Sequence, residues 1–241
     1  MNSEFGRLYE QLHAHFGPQG WWPTTPPGQL RPAYYPGQVG RALNEVERWE
    51  IAVGALLTQN TAWRNVELAF EALHRRGALI LPVLLALDEQ ELAALIRPSG
   101  YYNQKARRLR YLAGHLTTHH QGRLENLLAG PTDRVRAELL ALPGIGPETA
   151  DSILLYAGGH PVFVVDAYTR RICSRLGWVG EQIGYAALQA LFMDHLPATA
   201  ALFNEYHALL VRQAISYCRP RPRCGECPLR RQCRYGQAQH H

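Results

Sequence analysis

Lysine is all but missing from this chain of 241 residues: among its 25 lysine and arginine side chains, Lys105 is the single lysine. Chemistry that runs through an imine needs a primary amine, so only Lys105 and the N-terminal amine could carry it. No continuous apolar run is long enough to span a bilayer. The opening Met1-Asn2-Ser3-Glu4-Phe5 has neither the basic start nor the apolar stretch of a secretory signal. A cytoplasmic protein with no membrane partner is the expectation. Period-two alternation, internal repeats and low-complexity segments are also lacking, which leaves an all-α fold. Cysteine is scarce except in one place, with four of five in the last two dozen residues. In a cytosolic chain that crowding argues for a metal centre over disulfides.

What is present is ordinary in bulk, with 46% hydrophobic residues and enough length for one larger domain or two small ones. A formal charge of +5 and a pI of about 9.1 suit a polyanionic partner without specifying one. Apolar spacing predicts helices over 5–16, 49–57, 66–73, 79–87, 89–96, 105–115, 134–141, 167–176, 186–195 and 202–215, with Gly77, Pro82, Pro98 and Gly100 as breaks. Residues 49–57 are nearly all apolar and read as a buried central helix, ended by Thr58-Gln59-Asn60-Thr61. Between them and the first helix, 21–40 reads as an irregular loop rich in proline, glycine and aromatic residues, ordered because its tryptophans gain so much on burial.

One stretch organises the rest. Pro143 and Gly144 end the 134–141 helix, Gly146 turns the chain, and Pro147 suits the first position of a new helix. Glycines at 144 and 146 let another molecule approach the backbone, and the second helix offers its first amides and positive dipole end there. Spacing alone describes an αα-hairpin. After an apolar run, Val165 is followed by Asp166, which on its own reads as a helix cap.

The run Leu142-Pro143-Gly144-Ile145-Gly146, with Thr149-Ala150 and then Val165-Asp166, resembles the helix-hairpin-helix signature of the endonuclease III superfamily of DNA glycosylases. The resemblance implies a two-domain helix-hairpin-helix glycosylase fold: a helical barrel at 42–160, and a discontinuous second domain from 1–41 and 161–241 carrying the cluster loop, with DNA lying across the cleft between them. It implies that Gly144, Ile145, Gly146 and Thr149 grip a DNA phosphate and that Asp166 is catalytic. Bifunctional members have a lysine nucleophile where this chain has Glu148, and a carboxylate forms no Schiff base. Water is then the attacking group, and strand nicking is weak or absent. Gly100-Tyr101-Tyr102-Asn103-Gln104-Lys105-Ala106 is similar to a family turn read as structural or phosphate-contacting.

Cys218, Cys224, Cys227 and Cys233 give C-x5-C-x2-C-x5-C. Four thiolates in one loop hold either a structural zinc or a [4Fe–4S] cluster. The run resembles the C-terminal cluster loop of endonuclease III, one residue shorter in its first gap, and this favours [4Fe–4S] with zinc as the alternative. Arg219, Arg221 and Arg223 interleave with the cysteines and suit phosphate contacts. Cys173 reads as a buried thiol.

Gly20-Trp21-Trp22-Pro23 and Leu57-Thr58-Gln59-Asn60-Thr61-Ala62-Trp63 resemble pocket segments of the 3-methyladenine glycosylase branch. On that resemblance Trp21, Trp22, Pro23 and Trp63 line a base pocket flanked by Asp166 and Glu148, and Gln59 fills the gap left in the duplex. Taken singly, each tryptophan is equally a core residue. The expectation is a monomeric, monofunctional base-excision repair glycosylase acting on alkylated bases in double-stranded DNA. Two alternatives stand beside it: an oxidised-pyrimidine glycosylase/lyase of endonuclease III type, and a damaged-DNA-binding protein that has lost catalysis. His240 and His241 are assigned no role.

Overall fold

The computed structural model describes residues 3–238; His240 and His241 lie outside them. Among the described residues every regular element is helical, and the single β-bridge joins Thr24 to Ala33. The chain divides into two compact units. One comprises Trp22–Tyr35 and Gly40–His160; the other comprises the segment up to Trp21, Pro36–Val39 and the segment from Pro161 onward.

The first unit is built around α2 (Glu45–Leu57), in which every residue from Trp49 to Leu57 is buried. Asn44 and Glu47 start it with a reciprocal capping box. Around it follow α3 (Trp63–Arg76), α4 (Leu81–Ala86), α5 (Glu89–Leu95), α6 (Tyr102–His119), α7 (Leu124–Leu128), α8 (Thr132–Leu140) and α9 (Pro147–Ser152), which runs on as a single π-helical turn, Ile153–Ala157. α2 packs on α6, α7, α9 and that π turn. Pro82, expected as a break, sits in the first turn of α4, where its missing N–H costs nothing. α7 was not among the expected helices, although Leu124, Leu127 and Leu128 stand at helical spacing and are buried. Its N-terminal amides are capped from afar, the Glu45 carboxylate accepting from Leu124 N and from Glu125 N at 3.1 Å.

Trp22–Tyr35 groups with this unit rather than with the N-terminal segment it was expected to join. The reason is polar. Glu50, the one acid buried in α2, accepts from Thr25 N at 3.0 Å and Thr25 Oγ1 at 2.5 Å. Thr24 donates to Glu47 at 3.2 Å and accepts from Arg41 at 2.8 Å. A buried carboxylate needs such donors, and the loop supplies them.

The second unit centres on α12 (Ala200–Ser216), against which α1 (Glu4–Phe16) and α10 (Ala167–Leu176) pack, with α11 (Tyr185–His195) on α1 and α13 (Arg234–Ala238) on α10. Phe163, Phe192, Phe203 and Tyr206 form its aromatic core, with Phe163 stacked on Phe192 at 4.0 Å.

Lys105 is 1% exposed, and its ammonium donates to Leu57 O at 2.8 Å and Ser99 O at 2.6 Å. It ties the end of α2 to the turn before α6. Burial, helped by the Arg108 charge, lowers its pKa to about 8. Replacing Lys105 by Met is expected to destabilise the protein by about 2 kcal/mol at neutral pH, since two buried carbonyls lose their donor. Because the lysine pKa is lower folded than unfolded, the unfolded chain binds more protons between pH 8 and 10 and wild-type stability rises there. Urea titrations at pH 7.5 and 9.5 should show the wild-type advantage over K105M growing by roughly 2 kcal/mol, from the shift between about 8 and the ordinary lysine value.

Candidate functional site

In the first unit the 142–146 segment joins α8 to α9. Gly144, not Gly146, makes the turn: its φ is +80°, while Gly146 is extended at φ −92°, ψ 178° and caps α9. A Cβ on Gly144 would lie 2.1 Å from Arg108 Nε; one on Gly146 would meet nothing within 4 Å. So Gly144 is required by a left-handed backbone and a crowded inner face, and Gly146 leaves the outer face bare. Ile145 is buried, 5% exposed, and pins the turn to the core. Glu148 is exposed in the first turn of α9.

The hairpin is braced from two sides. Arg136 on α8 makes a bidentate pair with the fully buried Asp151 on α9, at 2.6 and 3.1 Å. Gln59, just beyond α2, donates to Gly144 O at 3.1 Å and Thr149 Oγ1 at 2.8 Å and accepts from Arg108 Nη1 at 2.5 Å. As folded, Gln59 is therefore a strut of the hairpin, and entering a duplex would require it to give up all three contacts.

The expected pocket aromatics divide. Trp22 and Trp63 meet edge to face at 5.5 Å, and Trp22 lies 5.1 Å from Tyr156. Trp22 and Pro23 are buried and Trp63 is half-buried. Trp21 belongs to the other unit. Tyr156 had no distinguishing sequence signal, lying within an apolar run. It is the π turn that directs it at Trp22, and such turns are frequent at functional sites. Gly54 makes room for the tryptophan, since a Cβ there would come within 3.0 Å of the indole.

In the second unit Asp166 ends the buried strip Val162–Val165 and caps α10. Oδ1 accepts from Thr169 N at 2.7 Å and Thr169 Oγ1 at 2.8 Å, and Oδ2 lies 3.7 Å from His207 Nε2. Burial alone would push this carboxyl up; the neighbouring His207 and the Thr169 hydrogen bonds outweigh it and hold it below the ordinary carboxylate value. Capping and an ionised, shielded carboxylate thus coexist in one side chain. His207, 7% exposed on α12, was not anticipated, because a lone histidine within a helix carries no motif. Asp166 and Glu148 sit in different units.

Cys218, Cys224, Cys227 and Cys233 line one recess with Ile172, Leu176 and Leu229. Arg175 Nη1 donates to Cys218 Sγ at 3.4 Å, Gln213 Nε2 to Cys227 Sγ at 3.1 Å and Gly236 N to Cys233 Sγ at 3.4 Å. Arg219, Arg221 and Arg223 are exposed around it, and Cys173 is fully buried.

The two hairpin glycines should separate in a stability assay. G144A forces an alanine into the left-handed region against Arg108 and should cost about 2 kcal/mol or more. G146A, which puts alanine at the α9 cap in a backbone it can adopt, should cost only about 1 kcal/mol. Parallel thermal melts of the two variants check this.

The family model described as HhH-GPD superfamily base excision DNA repair protein matches residues 53–198. A Methanocaldococcus jannaschii protein named as a DNA repair glycosylase, MJ1434, is 38% identical over 229 residues, covering 94% of each chain. Endonuclease III of Thermotoga maritima is 31% identical over 193 residues, 79% of this chain and 84% of that protein. The H. pylori 3-methyladenine DNA glycosylase MagIII, solved bound to 1,N6-ethenoadenine, aligns with a TM-score of 0.67 and 28% identity over 87% of this chain and 96% of the other. A non-covalent endonuclease III–DNA complex shares the fold at a TM-score of 0.76 and 22% identity over 99% of each chain. With its braced hairpin and capping aspartate each in place, the chain belongs to the HhH-GPD superfamily of base excision DNA repair proteins and is endonuclease III-like.

Proposed function

We propose that this protein is a monofunctional DNA glycosylase, hydrolysing the N-glycosidic bond of an alkylated purine in double-stranded DNA and leaving the strand intact. The observation that carries the reading is the state of the chain's one side-chain amine. Lys105 is sealed in the core on two carbonyl oxygens, and Glu148 stands where lyases of the family have their lysine. A Schiff base needs an exposed amine; none is offered by a side chain.

Cleavage of an N-glycosidic bond builds positive charge on the sugar, as in glycoside hydrolysis. Asp166 supplies a carboxylate kept ionised by Thr169 and His207, suited to stabilising that charge and to orienting water. The hairpin amides around Gly146 supply the phosphate contact, and the exposed Arg219, Arg221 and Arg223 add counter-charge to the backbone. Of the aromatic group only Trp63 is partly exposed, with Trp22 and Tyr156 buried behind it; an indole face there suits a cationic alkylated base, whose bond is already weakened by its charge. Similarity to MagIII supports that substrate class.

The four cysteines fit a [4Fe–4S] cluster better than zinc. A tetrahedral zinc with Zn–S bonds of about 2.3 Å holds its thiolates about 3.8 Å apart. Here no three of the four sulfurs lie within 4.8 Å of one another, and three of them receive the N–H donors typical of cluster thiolates. Bound there, the cluster would order the loop that carries the arginines.

The experiment is duplex DNA carrying single lesions, scored separately for base release and strand breakage. Release of 3-methyladenine or ethenoadenine without nicking, and no borohydride-trapped adduct, is the expected result; a trapped adduct on oxidised-pyrimidine DNA would sink the proposal. D166N should lose about 10²-fold or more of base release while binding duplex DNA as wild type does. H207N removes the larger of the two influences that depress the Asp166 pKa and leaves Thr169, so the acid limb of its kcat/KM profile should move to higher pH. An unmoved limb would deny His207 that role.

A further inference from the structure

Away from the hairpin and the aromatic group, a second set of side chains converges in the first unit. His115 Nε2 is 2.7 Å and His120 Nε2 2.6 Å from the same oxygen, Oε1 of Glu138 on α8. The three ligand atoms all lie within 4.8 Å of one another. Sequence spacing would not produce this. Five residues along a continuing helix turn a side chain about 140° away. His120 instead leaves α6 as its C-cap at φ −130°, and Gln121 and Gly122 follow with φ of +57° and +71°. Gly122 N bonds back to Leu116 O at 2.9 Å, and this tight reversal lets His120 reach the oxygen that His115 already holds.

The three side chains are 15–26% exposed, shielded but reachable. A cavity of about 400 Å³, lined by His119, Asn126, Arg134 and Glu138 among others, opens beside them. Two imidazole nitrogens and one carboxylate oxygen are a donor set suited to zinc, with three protein ligands and one position left to water. Magnesium and calcium prefer oxygen alone. The ligand atoms of a tetrahedral zinc stand about 3.3 Å apart, so each imidazole would retreat from Glu138 by roughly 0.6 Å, within reach of side-chain rotation.

We propose that His115, His120 and Glu138 form a binding site for a divalent transition-metal ion of the zinc class. The ion joins the end of α6 to α8, the helix that leads into the hairpin, and so reinforces the hairpin's support. Both imidazoles bind through a nitrogen without its proton, so affinity falls in acid. The proposal is independent of the glycosylase reading and of what the cysteines hold.

The test compares the full-length protein with E138Q and with H115N/H120N, each first shown by far-ultraviolet circular dichroism and by melting in EDTA to be folded as wild type. After equilibration with micromolar zinc and removal of excess, plasma mass spectrometry should find one more zinc per wild-type chain than per variant chain, with iron content equal in all three. Cobalt should give wild type, over and above either variant, an additional visible d–d band without additional thiolate charge transfer. Zinc should raise the wild-type melting temperature by on the order of 5 °C and leave E138Q unmoved, and millimolar magnesium should do neither. Equal zinc in wild type and variants would overturn the assignment, because the cysteines and His240 and His241 remain in all three. Absence of any zinc uptake by wild type would overturn it equally.

Discussion

A single ammonium buried on two carbonyl oxygens organises the first unit. Lys105 closes the C-terminal end of α2 through Leu57 O and the turn before α6 through Ser99 O. Burying a charge this deeply is costly unless its donors are met, so the two backbone segments are held where they satisfy it. Two residues beyond Leu57 stands Gln59, and one helical turn's reach beyond Lys105 stands Arg108. These two meet each other and the hairpin. The hairpin turn therefore inherits its position from a contact in the core. That contact also buries the chain's single lysine.

The second unit makes a comparable double use of one group. Asp166 caps α10 through Thr169 and faces His207 from the other oxygen. A cap requires an ionised or polar oxygen beside amide donors; stabilising a sugar cation requires an ionised oxygen shielded from water. The same arrangement meets both needs, so the structural and the chemical reading of this residue do not compete. His207 completes it by placing an imidazole 3.7 Å from the other oxygen, from a helix more than forty positions away in the chain.

Much of this was legible in the sequence. The apolar run at 49–57 marked the central helix, Pro147 marked the start of α9, and the helix at 167–176 matches α10 residue for residue. These features depend on side chains a few positions apart, and period and capping report them directly. The features that escaped depend on distant partners. α7 is capped by Glu45, Trp22–Tyr35 is held by Glu50 and Glu47, and Tyr156 is aimed by a π turn that no residue type announces. The role of Gly144 and Gly146 was read in the wrong order, because either glycine could have taken the positive φ until Arg108 and Gln59 closed over the first of them.

What the sequence by itself determined is the helical class, the family, the hairpin and the four-cysteine loop, together with the scarcity of lysine that makes amine chemistry a question about one residue. What only the tertiary structure decided is where that residue points, which aromatics meet, and how the backbone reversal after α6 lets His115 and His120 share one carboxylate oxygen. The division has a physical cause. Helix periods and caps are local free energies written in neighbouring residues, whereas the burial of a charge, the pKa of a carboxylate and the convergence of ligands are set by groups that only folding brings together.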